Sequence, residues 1–316
     1  AGGCEAPPGE PGEASAEHAE EALAGADGEG ETDDEGPILV VSDLHGNLTL
    51  LKRALVKGAE LAGRKDLTVV LIGDYCDNGP EIKELLEFLC DVVDKGGRYG
   101  GMTLLPIIGN HDLACLFVLK PGIYGSRIGG ARGPWWDRWQ TFWNGWDFGT
   151  PSSYGSDDTP ARFRQCFPKR HRLLLDSLPW YQAVDNYVFV HAGLSMRAPV
   201  RKQLEFLASK DLSRLEFSGF ETFKGGGHGM PDQITHKGWA TSNSPSWGCV
   251  VVSGHNKYPE HEDFVASNRL GLHSCACERC FSPDSPSAWP LHCALLKRGA
   301  TDLTRPADAP RRFKIF

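Results

Sequence analysis

The stretch Ile38-Leu39-Val40-Val41-Ser42-Asp43-Leu44-His45-Gly46-Asn47 decides how this chain is read. Four consecutive apolar residues, three of them β-branched, suit a strand buried on both faces, as strands of a parallel sheet are. The apolar run then stops at an aspartate, a histidine and a glycine. Leu48, Leu51, Leu55 and Ala59 follow at helical spacing. Strand, polar turn and helix form one unit.

The unit recurs. Residues 68–72 are apolar and end at Gly73-Asp74, and 81–93 have a helical pattern. Residues 103–108 end at Gly109-Asn110-His111-Asp112, before another helix. This alternation predicts an α/β fold with a mostly parallel sheet. In such sheets ligands sit at the carboxyl ends of the strands, and each of these ends carries Asp, His or Asn. Further along, 181–184 and 187–190 form a hairpin-like pair around Asp185-Asn186, the second running into His191-Ala192-Gly193. Residues 250–252 end at Gly254-His255, and 270–273 and 291–296 are late strands. Helical pattern covers 162–177 and 200–217, and 218–248 reads as loop. There is no internal repeat.

Composition sets the surroundings. Residues 1–36 hold 12 Asp or Glu and no Lys or Arg, with almost nothing bulky and apolar. Such a segment cannot bury enough surface to offset ordering, so it is expected to be a disordered acidic tail. Residues 37–316 are expected to form the folded domain, with a Gly- and Trp-rich insertion at about 121–160. The net charge of -8 argues against DNA or RNA binding. The body behind the tail has 33 basic and 29 acidic residues, which suits an anionic substrate. No apolar run reaches the ~18 residues of a membrane helix. The first residue is Ala, which leaves a removed targeting segment open. Ten cysteines, six scattered and four late, are not the dense pattern of a small secreted scaffold and predict a reduced, cytoplasmic protein.

Asp43, His45, Asp74, Asn110, His111, His191 and His255 all follow apolar strands directly. Alone, each is an ordinary polar residue; together they suit a pair of divalent cations ~3.5–4 Å apart, able to activate a water and clamp a phosphoryl oxygen. Mixed imidazole and carboxylate donors suit manganese, iron or zinc. One carboxylate has to serve both cations, and Asp74, on a central strand, is the natural choice. Asn110 offers a neutral carbonyl oxygen, which limits the negative charge facing an anionic substrate.

Ser42-Asp43-Leu44-His45-Gly46, Gly73-Asp74-Tyr75-Cys76-Asp77-Asn78-Gly79, Gly109-Asn110-His111-Asp112, Val190-His191-Ala192-Gly193 and Gly254-His255 resemble, in order, the motifs of calcineurin-like metallophosphoesterases, in their phosphoprotein phosphatase branch. Ser153-Tyr154-Gly155 and His171, before Leu178-Pro179, are similar to bacterial-type members and symmetrical diadenosine tetraphosphatases. The resemblance covers about 37–297. It implies two mixed β-sheets in a sandwich flanked by helices. It also implies that Asp43 and His45 bind one metal, that Asp74 bridges, and that Asn110, His191 and His255 bind the other. His111 then protonates the leaving alkoxide, Asp77 orients His111, and a metal-bridging hydroxide attacks phosphorus in line.

The chain departs from that pattern in three places. Ser42 replaces a glycine. Asn78 stands where the family carries a phosphate-binding arginine, and it lacks the charge and the bidentate fork. A lost charge-assisted hydrogen bond costs about 1.5–3 kcal/mol. No arginine occurs from Glu216 to His255, where a second is expected. Lys237, Arg127 or Arg132 are the replacement cations on offer for substrate, beside Asn78 itself.

Other features have plainer readings. Trp135, Trp139 and Trp143, with Trp136 and Trp146 nearby, predict an amphipathic helix burying an indole face; a stacking wall for a nucleotide is the functional alternative. Cys275, Cys277, Cys280 and Cys293, with His273 and His292, could hold a structural zinc or remain free thiols. Gly225-Gly226-Gly227-His228-Gly229 lacks the order of a phosphate loop and reads as flexible.

The expected function is a two-metal phosphoesterase acting on phosphorylated protein, of the Ser/Thr type. Hydrolysis of a dinucleoside polyphosphate is the enzymatic alternative. A phosphate-binding pseudo-phosphatase without turnover is the third.

Overall fold

The computed structural model describes residues 36–121, 149–156, 159–196, 198–212, 230–235, 241, 243, 247–274 and 290–316. Strands β1 (Ile38–Val41), β2 (Thr68–Leu71), β3 (Arg98–Tyr99), β4 (Met102–Pro106), β10 (Leu291–Leu296) and β11 (Arg311–Ile315) make one sheet, in the order β11-β10-β1-β2-β4-β3. Strands β5 (Tyr181–Val184), β6 (Tyr187–Val190), β7 (Val250–Ser253), β8 (Phe264–Ala266) and β9 (Arg269–Gly271) make the other, in the order β5-β6-β7-β9-β8. Both are mixed. β1, β2 and β4 run parallel, as do β6, β7 and β9, with antiparallel strands at the flanks.

Strand alternation assigns the faces. From β1, Ile38 and Val40 join Val70, Ile72, Phe189, Val252 and Leu270 in a core between the sheets. Leu39 and Val41 face the other way and pack with helices α1 (Leu48–Ala62), α2 (Ile82–Asp94) and α3 (Asn110–Leu119). The architecture is therefore the expected two-sheet sandwich with helices outside. Short helices α4 (Thr150–Ser153), α5 (Pro160–Cys166), α6 (Lys169–Ser177), α7 (Val200–Ser209) and α8 (Asp232–Thr235), with a 3-10 turn at Pro259–His261, complete the described elements. Among these residues no helix is long and apolar enough to cross a membrane.

Several boundaries differ from the sequence reading. The strand expected over 270–273 is β9, Arg269–Gly271, because parallel pairing with β7 sets its register. Within the stretch read as loop, Asp232–Thr235 is helical. Strands β3, β8 and β11 were not expected; β3 and β8 are too short to show a period, and β11 is built on basic residues at a sheet edge. The tail to residue 35, Trp135 to Trp146 of the insertion, Arg127, Arg132, Lys237, Gly225–229, and Cys275, Cys277 and Cys280 lie outside the described residues.

Candidate metal centre

Parallel pairing puts the carboxyl ends of β1, β2 and β4 side by side, and those of β6 and β7 in the facing sheet. The polar residues after them converge. Asp43, His45, Asp74, Asp77, Asn110 and His191 are all buried. The turns that hold them are tight: His45, Asp74, Asp77, Asn78 and His255 have φ of 40, 52, 62, 63 and 62°. Left-handed backbone at a non-glycine residue costs on the order of 1–3 kcal/mol and gathers at functional sites. Gly109 shows how close the strands approach, since a Cβ there would stand 2.2 Å from the Asp74 amide nitrogen.

Asp74 lies at the centre. Its Oδ1 accepts the His111 amide at 2.9 Å. Its Oδ2 lies 3.6 Å from Nε2 of His45 and 3.2 Å from Nε2 of His191. Each imidazole is aimed by its other nitrogen: Nδ1 of His191 donates to the Ile72 carbonyl at 2.7 Å, and Nδ1 of His45 faces the Cys76 and Asp77 carbonyls, both at 3.3 Å. With a proton on each Nδ1, the neutral form of either ring turns its Nε2 lone pair onto the same carboxylate oxygen. Nε2 of His191 also meets Oδ1 of Asn110 at 2.8 Å. Lone pairs converging in this way call for a cation. Donors about 2.1 Å from one cation stand roughly 3–3.5 Å apart; the His191 separation falls in that range and the His45 separation just above it. A carbonyl behind the distal imidazole nitrogen is the usual outer support of a histidine ligand.

Among the described residues, two groups of potential ligands meet the distances for a metal, and Asp74 belongs to both. One is His45, Asp74 and His111; the other is Asp74, His191 and His255. His111 stands in the first group where the expected allotment has Asp43, although its Nδ1 is 2.8 Å from Asp77 Oδ2. Asp43 falls in neither: its oxygens accept the His255 amide at 2.9 and 3.2 Å and stand 3.4 Å from Nδ1 of His191. A buried carboxylate takes the nearest donors, and here they are on the second sheet.

The electrostatics repeat the demand for positive charge. Burial by itself would lower His191, but Asp74 and Asp43 outweigh it and hold the imidazole up, at about 9. Burial likewise works against protonation of His111, yet Asp74 and Asp77 raise it above the ordinary value. Asp74 is pulled the other way from burial by His191, His111 and His45, and lies well below the usual carboxylate range. For His45 burial prevails and lowers it.

Two supports were not legible in the sequence. Thr150 binds Asp77 three times: its amide and hydroxyl donate to Oδ1 at 3.0 and 2.6 Å, and the Asp77 amide donates to its hydroxyl at 2.9 Å. Asp112, fully buried, accepts the Tyr75 and Cys76 amides on Oδ1 at 2.9 and 3.0 Å and the Gly109 amide on Oδ2 at 2.9 Å. It so ties the 73–79 turn to the start of α3. Burial, then Asp74, pushes its carboxyl up to about 6. Asn78 sits in the same turn, 9 % exposed.

At the late cluster, Cys293 is a free thiol in the core under the helices. His292, on the opposite face of β10, donates from Nδ1 to Asp263 at 2.7 Å. Nδ1 of His273 accepts the Tyr258 amide at 2.7 Å, which leaves its proton on Nε2. Strand alternation thus separates Cys293 from the histidines with which the zinc expectation grouped it.

A family model for calcineurin-like phosphoesterases matches residues 36–270. No curated protein matches the sequence significantly. Solved structures are similar at low identity. A candidate diadenosine tetraphosphatase is 18% identical, with TM-score 0.46, over 90% of this chain and 96% of its own. A cold-active protein-tyrosine phosphatase of a psychrophilic Shewanella is 16% identical, with TM-score 0.46, over 89% and 80%. A serine/threonine phosphatase from Saccharomyces cerevisiae is 12% identical, with TM-score 0.47, over 95% and 88%.

Proposed function

The chain belongs to the calcineurin-like phosphoesterases, and from that premise we propose that it is a two-metal phosphatase that hydrolyses phosphomonoesters of the Ser/Thr phosphoprotein type. The observation that carries this reading is the single oxygen, Oδ2 of Asp74, faced by Nε2 of His45 at 3.6 Å and of His191 at 3.2 Å. The donor set fits two divalent cations of the manganese, iron or zinc kind. Asp43 and His45 would hold one, Asn110, His191 and His255 the other, and Asp74 both. Such a pair supplies an activated water and polarises the phosphoryl oxygens.

The chain's own residues do the rest. His111 holds a proton at the mouth of the site, being partly exposed where its neighbours are buried, and delivers it to the departing alkoxide. Asp77 fixes the ring through Nδ1, leaving Nε2 as the acidic position. Asn78, with Lys237 and Arg132, would contact the phosphate.

Asn78 also favours a second reading, hydrolysis of a nucleotide anhydride such as a dinucleoside polyphosphate. An internal phosphate of an anhydride carries one negative charge where a monoester dianion carries two, so it depends less on an arginine. The test loads the protein with manganese and offers an aryl phosphate, a panel of phosphopeptides and diadenosine tetraphosphate. Turnover of phosphopeptides supports the first reading. Turnover of the tetraphosphate alone replaces it with the second. Bound metal with no turnover of any of them leaves a phosphate-binding protein.

A further inference from the structure

Among the described residues, the largest side chain that is fully buried belongs to Arg269, on β9. Nη2 donates to Ser253 Oγ at 2.7 Å and to the Ala192 carbonyl at 3.3 Å. Nε and Nη1 have no acceptor within hydrogen-bond distance. Among the described residues, the Tyr258 hydroxyl is the group that offsets the burial of its charge. Burying a guanidinium without a carboxylate partner carries a desolvation penalty. A hydrophobic residue of similar length would fill this place more cheaply, so its donors have to serve a purpose.

The two acceptors identify it. Ala192 follows His191, and Ser253 precedes Gly254-His255 by one step. Arg269 pairs level with Val251, so its side chain runs toward the carboxyl ends of β6 and β7. There one nitrogen bonds both turns at once. The Gly254 amide joins the turns directly, donating to the His191 carbonyl at 3.0 Å; Nη2 adds a second tie, to the residue after His191 and the residue before Gly254. Room for it is built in. Gly193 has φ of 137°, and a Cβ there would stand 2.9 Å from Nη1 and 3.0 Å from Nη2. A side chain at Gly271 would collide with the Tyr258 hydroxyl in the same way, at 1.9 Å.

We propose that Arg269 is a positioning residue that clamps the Ala192 and Ser253 turns together and thereby sets His191 and His255 at the separation one cation needs. This rests on the two-metal reading for its consequence and on geometry alone for the clamp. Arg269→Met keeps the bulk and removes the donors; Ser253→Ala keeps the arginine and cuts one leg.

The test titrates metal-free wild type, Arg269→Met, Arg269→Lys and Ser253→Ala with Mn2+, and compares amide hydrogen exchange at 190–193 and 252–256 with that at β1 and β2. Arg269→Met is expected to weaken one of two Mn2+ ions by ~10- to 100-fold, the scale of lost outer-sphere support, and leave the other unchanged. Exchange should rise at both turns and not in β1 or β2. Ser253→Ala should show a smaller change of the same kind, and Arg269→Lys a partial return. Equal weakening of both ions, or exchange unchanged at the turns in Ser253→Ala and Arg269→Met alike, overturns the clamp. A wild type that takes up no Mn2+ contradicts the proposed function, and the exchange comparison then decides the clamp by itself.

Discussion

Oδ2 of Asp77 lies 2.8 Å from Nδ1 of His111, while Oδ1 of the same carboxylate is held at 2.6 Å by the Thr150 hydroxyl. The aspartate is buried and the histidine only partly so. One end of the relay is therefore fixed in the protein, and the other reaches the surface where a substrate oxygen would arrive. The same carboxylate raises the proton affinity of the ring, as an acid at neutral pH requires.

If His111 is that acid, His111→Ala should lower kcat by ~10²- to 10⁴-fold, the usual span for a positioned proton donor, with metal content unchanged. Elemental analysis beside steady-state kinetics checks it. Loss of a metal in this variant would instead make His111 a ligand, the role its grouping with His45 and Asp74 allows.

Thr150→Val retains the shape and removes a hydroxyl that both donates to and accepts from Asp77. The cost of leaving those groups unpaired is about 1–3 kcal/mol. Kinetics should show kcat lowered ~10-fold with KM and metal content near wild type, at 1.4 kcal/mol per tenfold, and Thr150→Ser should restore most of it. An unchanged kcat contradicts a role for Thr150 in aiming the acid.

Asp112→Asn should destabilise the fold by about 1–3 kcal/mol, because an amide nitrogen turned toward backbone N–H groups leaves at least one of them unsatisfied. The change is read as a lower denaturant midpoint at unchanged slope. A midpoint equal to wild type would mean that the three amides find other acceptors.

His273 contributes to the pH dependence of stability. Burial, then His292 and His261, lowers it from the ordinary 6.5 to about 4. The folded state thus resists a proton that the unfolded chain accepts, so stability is fully present above pH 6.5 and is lost as pH falls toward 4. His273→Asn keeps an acceptor for the Tyr258 amide and removes the titration. Its urea midpoint should vary less than that of wild type between pH 7 and 5. Parallel curves would assign the pH dependence to other groups.

Much of this was legible in the sequence because strands announce themselves by buried apolar runs, and Asp43, Asp74, Asn110, His191 and His255 are each read off the end of one. The Thr150–Asp77 contact was not, since it joins residues 73 positions apart and a lone threonine before a proline has no periodic signature. Arg269 was invisible for a related reason: sequence reading takes an arginine for surface, and only the pairing of β9 with β7 puts this one under the second sheet's turns. The Asp43 carboxylate also meets the His255 amide, a contact made by the approach of two sheets and not by local sequence. Cys293 was grouped with histidines by proximity in sequence, whereas alternation along β10 turns it to the other face.

Metal content per chain in wild type and Asp74→Asn is the most direct measurement. If one carboxylate serves both cations, wild type loaded with Mn2+ and desalted holds two ions, and the variant, with its fold intact by circular dichroism, holds neither tightly. A variant that keeps one ion at wild-type affinity, or a wild type that never exceeds one, contradicts a centre built around Asp74.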